Sequence, residues 1–121
     1  MGIITSRILL IAEEKQIVDD LLEYFESNGY EAEIALNTKI AIDIINERDM
    51  AIVIVGYKDQ QSIETGIIEQ LRDASPIPII VIGGEKSKRN ENKIIKAGAQ
   101  KFIPSPVKND ELLLAVKEIL N

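Results

Sequence analysis

The chain contains neither cysteine nor histidine. Without cysteine there is no disulfide framework, no thiolate nucleophile and no cysteine-based zinc site, and a reducing compartment is permitted. Without histidine the chain lacks the commonest general base and transition-metal ligand, and it cannot relay a phosphoryl group through a phosphohistidine of its own. No apolar run approaches the eighteen or so residues of a membrane span, and no charged-then-apolar leader precedes a cleavage site. A soluble, cytoplasmic protein with no membrane partner is therefore expected. The opening Met1-Gly2-Ile3-Ile4-Thr5-Ser6 formally fits an N-myristoylation pattern, but glycine after an initiator methionine is equally ordinary without lipidation.

At 121 residues the chain has the length of one domain, enough to bury roughly two-thirds of the surface its unfolded form exposes. Its net charge of -6 argues against nucleic acid as a partner. That charge is unevenly placed. From Glu85 to Lys108 the bases Lys86, Lys88, Arg89, Lys93, Lys96, Lys101 and Lys108 face only Glu85 and Glu91, so this segment is net +5 and the remainder -11.

Five apolar segments read as strands: Ile8 to Ala12, Glu31 to Leu36, Ala51 to Val55, Pro78 to Ile82, and Lys101 to Ile103. Between them apolar residues recur at helical spacing. Ile17, Leu21, Leu22 and Phe25 form one such set; Ile40, Ala41, Ile44 and Ile45 another; Ile63, Ile67, Ile68 and Leu71 a third; Leu112, Leu113, Val116 and Leu120 the last. A shorter helix is expected over Arg89 to Ala97, with Ile94 and Ile95 toward the sheet. Asn28-Gly29 and Gly98 read as helix stops and Asn37 as an N-cap. Strict alternation of strand and helix gives an α/β fold, a doubly wound five-stranded parallel sheet covered on both faces. Residues 1–6 read as an extension and 7–121 as the domain.

In such a sheet, chemistry sits beyond the carboxyl ends of the strands. Those ends are Ala12-Glu13-Glu14, Gly56-Tyr57-Lys58, Gly83-Gly84 and Pro104-Ser105-Pro106. A flavin or dinucleotide needs a small, donor-rich first turn, and two glutamates there repel phosphate. A cobalamin site that supplies a histidine ligand is excluded. Ser105 lies between two prolines with no histidine or lysine beside it in sequence, which argues against a serine nucleophile.

Several local strings resemble the receiver domain of bacterial response regulators, from Arg7 to Leu120: RILLIAEE, NGYE, PIPIIVIGG and KAGAQKFIPSPV, with Gly98-Ala99, then Phe102, then Pro106 in register. The resemblance implies a flavodoxin-like (βα)5 receiver fold with strand order 2-1-3-4-5. It also implies a chemistry in which an aspartate ending strand three accepts a phosphoryl group. Mg²⁺ is then held by that aspartate and an acidic pair after strand one, and a hydroxyl after strand four and a lysine after strand five contact the phosphoryl oxygens. Carried over residue by residue, the acceptor falls on Gly56, the acidic pair on Ala12 and Glu13 with Glu14 following, the hydroxyl on Gly83 and the lysine on Ser105. Four of the five expected groups are missing, so the chain resembles a pseudo-receiver that keeps the scaffold without the phosphorylation chemistry.

No catalytic residue, cofactor or metal site is expected, with Mg²⁺ binding weak or absent, because two glutamates at one strand end fall short of the oxygen set Mg²⁺ requires. Phe102 matches the family's aromatic switch position. The resemblance puts contacts with a protein partner or a second copy on helix four, strand five and helix five. Lys88, Arg89, Lys93, Lys96 and Lys101 are the partner-binding candidates on that face. Two other readings stay open: a phosphotransfer domain with an atypical acceptor such as Asp59, and a sensor of a small anion or nucleotide cradled by Gly83-Gly84.

Overall fold

The computed structural model describes residues 6–12, 15–58 and 63–121. Its elements are β1 (Arg7–Ala12), α1 (Lys15–Ser27), β2 (Glu31–Ala35), α2 (Thr38–Glu47), β3 (Ile52–Gly56), α3 (Gly66–Ala74), β4 (Ile79–Ile82), α4 (Lys88–Ala97), β5 (Lys101–Ile103) and α5 (Asn109–Leu120). The five strands form one sheet, every pair parallel, in the order β2-β1-β3-β4-β5. This is the receiver-type order expected above.

Successive strand side chains point to opposite faces, and both faces are apolar because both are covered. Leu9, Ile11, Val53, Val55, Ile79 and Val81 pack under α2, α3 and α4, where Ala41, Ile68, Leu71 and Ile94 meet them. Ile8, Leu10, Ile52, Ile54, Ile80, Ile82 and Ile103 pack on the other face against Val18, Leu21 and Phe25 of α1 and Leu112, Ala115 and Val116 of α5. Each strand thus serves two cores. Tyr24 of α1 donates its hydroxyl to the Asp110 carboxylate of α5 at 3.1 Å. Desolvation, with that carboxylate, raises the phenol above its ordinary pKa.

The element ends follow their chemistry. Asn37 caps α2, its side chain accepting from the Ile40 N–H at 2.9 Å, and Ser87 caps α4 through the Asn90 N–H at 3.0 Å. The serine cap starts α4 one residue earlier than the sequence pattern suggests. Strand β2 ends at Ala35 because Leu36 turns outward and is 72% exposed. Strand β3 runs one residue further than its β-branched run, to Gly56, which pairs with Ala12 and Ile82. Ser6 also joins the ladder, accepting from the Glu31 N–H at 3.2 Å, while residues 1–5 of the expected extension lie outside the described residues.

Arg72 ties the end of α3 to the α4–β5 junction. Its guanidinium donates to the Gly98 carbonyl through Nε at 3.2 Å and Nη2 at 2.6 Å. It also donates to the carbonyls of Ser75 at 3.1 Å and Ile77 at 2.8 Å, and to Gln100 Oε1 at 3.2 Å. The same Gln100 oxygen accepts from the Ile79 N–H at 2.7 Å. A planar fork of five donors can bridge these acceptors at once; a single ammonium cannot. Gly98 ends α4 at φ 123°, and a Cβ there would lie 2.9 Å from the Arg72 side chain.

Replacing Arg72 by methionine keeps the aliphatic stem and removes every donor, so it should lower the unfolding free energy by about 2–4 kcal/mol. Urea melts with an unchanged slope would read this directly. Arg72→Lys should recover less than half of the loss.

Candidate functional site

Parallel register brings the carboxyl ends of β1, β3 and β4 side by side: Ala12 opposite Gly56, and Gly56 opposite Ile82. Gly83 and Ser105 follow from the ends of β4 and β5 and line the same crevice. Ala12 and Gly56 are thus neighbours at the strand ends, and Gly83 and Ser105 line the crevice beyond them. Glu13 and Glu14, and the alternative acceptor Asp59, lie outside the described residues.

Among the described residues, the nearest side-chain neighbours of Gly56 are hydrocarbon. A Cβ built on it would lie 3.2 Å from Ala12 Cβ, 3.7 Å from Ile17 Cγ2 and 3.7 Å from Ile82 Cγ1. A carboxylate at this position would enter an apolar setting, and Ala12 opposite offers only a methyl group. The groups present at these two positions do not fit Mg²⁺, which demands a near-octahedral set of oxygens. Among the described residues, no group of three or more acidic, cysteine or histidine side chains is placed to hold a metal ion.

Gly83 is fixed by sterics. Its φ is 86°, and a Cβ there would sit 1.9 Å from the Tyr57 carbonyl oxygen. No residue with a side chain fits without moving the main chain. The Gly83 N–H donates to the Ile103 carbonyl at 3.0 Å, and the Ser105 N–H to the Gly84 carbonyl at 3.0 Å. Both donors are thereby spent on binding β4 to the β5 loop. An anion cradle at Gly83-Gly84 loses the Gly83 amide, which weakens the reading of that turn as an anion sensor. Tyr57 is buried, and its hydroxyl donates to the Glu64 carbonyl at 2.7 Å, which anchors the segment leading to α3.

The remaining lining comes from residues that the sequence reading did not place at the site. Ile17, Asp20 and Leu21 enter from α1, Val107 and Asn109 from the start of α5. Ile17 and Leu21 were legible as part of the apolar stripe of α1. Their position in its first two turns, next to the end of β1, is the signal that they border the crevice.

The basic segment divides around α4. Asn90 and Ile94 are fully buried and Ala97 half-buried, which fixes the inward side of the helix. At 100° per residue, Arg89, Lys93 and Lys96 then fall on one flank, and Lys88, Glu91 and Ile95 on the other. Lys93, Lys96 and Ala97 line a groove of about 370 Å³ with Thr65, Glu69, Arg72 and Asp73 at α3. These lysines thus face acidic α3, apart from the flank toward β5 where Lys88 lies. Lys101 is half-buried on β5, opposite Ile80. The expectation that Ile95 faces the sheet is corrected: it is 45% exposed, because the neighbouring Ile94 already occupies the inward side. On α5, Leu114 is 57% exposed. Phe102 is half-buried and packs against the cluster beneath α2, α3 and α4.

Residues 8–117 match the model of the response regulator receiver domain. A putative response regulator, NtrX-like, of Rickettsia typhi is 26% identical over 113 residues, 91% of this chain and 24% of that protein. The transcriptional regulatory protein CpxR of Escherichia coli is 23% identical over 116 residues, covering 95% of this chain and 49% of that protein. The chain thus spans between about a quarter and a half of these relatives. Among solved structures, the Francisella response regulator 1452 receiver domain superposes with a TM-score of 0.84 at 21% identity, over 96% of this chain and 97% of that one. A CheY-like receiver domain protein of Methanospirillum hungatei gives 0.81 at 25% identity, covering 97% and 94%.

The two glycines should respond differently to a methyl group. Gly56→Ala meets a slight methyl-to-methyl crowding offset by lower unfolded-state entropy, and should stay within about 1 kcal/mol of the parent. Gly83→Ala meets a backbone carbonyl in a left-handed conformation and should lose at least about 3 kcal/mol or fail to fold. Thermal and urea unfolding of the pair distinguish them.

Proposed function

The chain belongs to the response regulator receiver domain family of two-component signalling, and we propose that it is a degenerate member, a pseudo-receiver that works through protein contacts without being phosphorylated. The observation that carries this reading is Gly56. Acyl phosphate formation needs a carboxylate at the end of β3, and the position holds no side chain. The groups that would read a phosphoryl group are lost as well, with Gly83 at the hydroxyl position and Ser105 at the lysine position. On this reading the domain is not an enzyme and requires no cofactor, and any Mg²⁺ binding is weak.

The contact surface on this proposal is the face of α4, β5 and α5. Its support is the pair of exposed apolar side chains, Ile95 on α4 and Leu114 on α5, with Lys88 two turns before the first on α4 and Glu111 and Glu118 either side of the second on α5. Isolated apolar residues within a mixed-charge surround suit a contact whose centre is apolar and whose rim is polar. Arg72 holds the carboxyl end of α4 in place, so this face is presented without a phosphorylation step. The partner is a protein or a second copy. Nucleic acid is disfavoured by the net charge of -6, and no helix among the described residues is long and apolar enough to cross a membrane.

Treatment with a small acyl phosphate and Mg²⁺ should leave the intact mass unchanged. A single phosphate adduct that disappears in Asp59→Asn would establish the atypical acceptor in place of this reading. Gly56→Asp alone should be phosphorylated poorly, because Gly83 and Ser105 remain and the new carboxylate is flanked by hydrocarbon.

Association, read by sedimentation of the chain alone and with candidate partners, should weaken at least about tenfold in an Ile95→Asp Leu114→Asp double variant. Lys93→Glu Lys96→Glu, on the α3 flank, should change it by less than about threefold at physiological salt. The opposite ranking would move the contact surface to the α3–α4 groove.

A further inference from the structure

The crevice at the carboxyl end of the sheet has a volume of about 270 Å³, just below the range of about 300–1,000 Å³ for drug-sized ligands. We propose that it binds a small organic cation with an apolar body, of the size of an arylalkylamine. This proposal is independent of the contact surface described above and goes beyond it.

Three observations converge on that ligand class. The walls are aliphatic: Ile17, Leu21, Ile82 and Val107. They remove apolar surface of a ligand from water, the main source of affinity for a molecule of this size. The second observation is the charge of the lining. Asp20 is its one charged side chain among the described residues, and no lysine or arginine lines the crevice. A phosphoryl group or other anion would enter a site without a counter-charge, and a cation would find one. The third is the hydrogen-bond inventory. The Gly83 and Ser105 amides, which would otherwise serve an anion, donate to Ile103 and Gly84. The Ser105 hydroxyl and the Asn109 side-chain amide also line the crevice; each can accept from a ligand N–H as well as donate.

The crevice therefore offers an acidic side chain and hydrocarbon where a pocket for a phosphoryl group would offer a cation. Asp20 is exposed, so its contribution is screened and the expected preference for a cation is moderate.

Amide NMR titration of the chain with 2-phenylethylamine, 2-phenylethanol and phenyl phosphate at low ionic strength tests this. The amine should shift the amides of Gly56, Tyr57, Gly83 and Ser105 with a dissociation constant in the low millimolar range, about fivefold tighter than the alcohol, with phenyl phosphate weakest. Asp20→Asn should bring the amine-to-alcohol ratio to about one while the alcohol still binds. Val107→Trp, which fills the crevice, should weaken both at least about tenfold. If the tryptophan variant misfolds, the Asp20→Asn ratio decides alone. Phenyl phosphate binding as tightly as the amine, an amine preference that survives Asp20→Asn, shifts confined to other residues, or no saturable shift at any probe would each overturn the proposal.

Discussion

At the carboxyl edge of the sheet, the main chain of Gly83 lies so close to the Tyr57 carbonyl that a Cβ would come within 1.9 Å of it. This close approach sets the floor of the crevice. It directs the chain after β4 toward β5, where the Gly83 N–H meets the Ile103 carbonyl and Gly84 accepts from Ser105. With these bonds formed, β4 and β5 close on the side of the sheet that carries α5, and Ile103 takes its place in the core beneath that helix. A hydroxyl-bearing side chain at position 83 is incompatible with this path. The backbone path itself therefore calls for glycine at position 83.

The fold was largely legible because the central strands β1, β3 and β4 are short, rich in isoleucine, leucine and valine and apolar on both sides. The helices carry apolar stripes, although Ile63, read with the third stripe, precedes α3. Sequence alternation then leaves little freedom: parallel strands with crossovers must be covered twice, and Leu9 and Leu10, adjacent in sequence, do enter opposite cores. Boundaries were less legible where local chemistry overrides periodicity. Gly56 has no strand propensity, yet the ladder includes it because Ala12 and Ile82 on either side continue to pair. Leu36 is apolar but lies past the end of the edge strand, where no element covers it.

The site divided along the same line. The four strand-end positions could be read from order alone, since parallel register fixes which residues finish side by side. Interactions between elements could not. Arg72 lies among exposed charges in the α3 pattern, and nothing in that pattern signals that its guanidinium reaches carbonyls of Ser75, Ile77 and Gly98. Ile94 and Ile95 are equivalent in composition, and only the seating of Asn90 and Ala97 decides which of them turns inward. A charge run read as one patch is divided by the same rotation. A helix laid on a sheet has two flanks, and a cluster of bases every three or four residues falls on whichever flank the core contacts choose.

Scaffold and pocket draw on partly different residues in this architecture. The two cores are built from side chains in the middle of the strands and from the inward stripes of the helices. The strand-end positions Gly56, Gly83 and Ser105 lie just beyond, outside both sets of core side chains, whereas Leu21 and Ile82 serve both the core beneath α1 and α5 and the crevice. Carboxylates clustered there would repel one another and need a counter-ion, and a nearby lysine would carry its own desolvation cost. Ala12, Gly56 and Gly83 carry no charged group, and Ile17, Leu21 and Ile82 border the crevice beside them. On the reading proposed above, an α4 tied to α3 through Arg72 and an aliphatic crevice are the two features on which a signalling role of this chain is built.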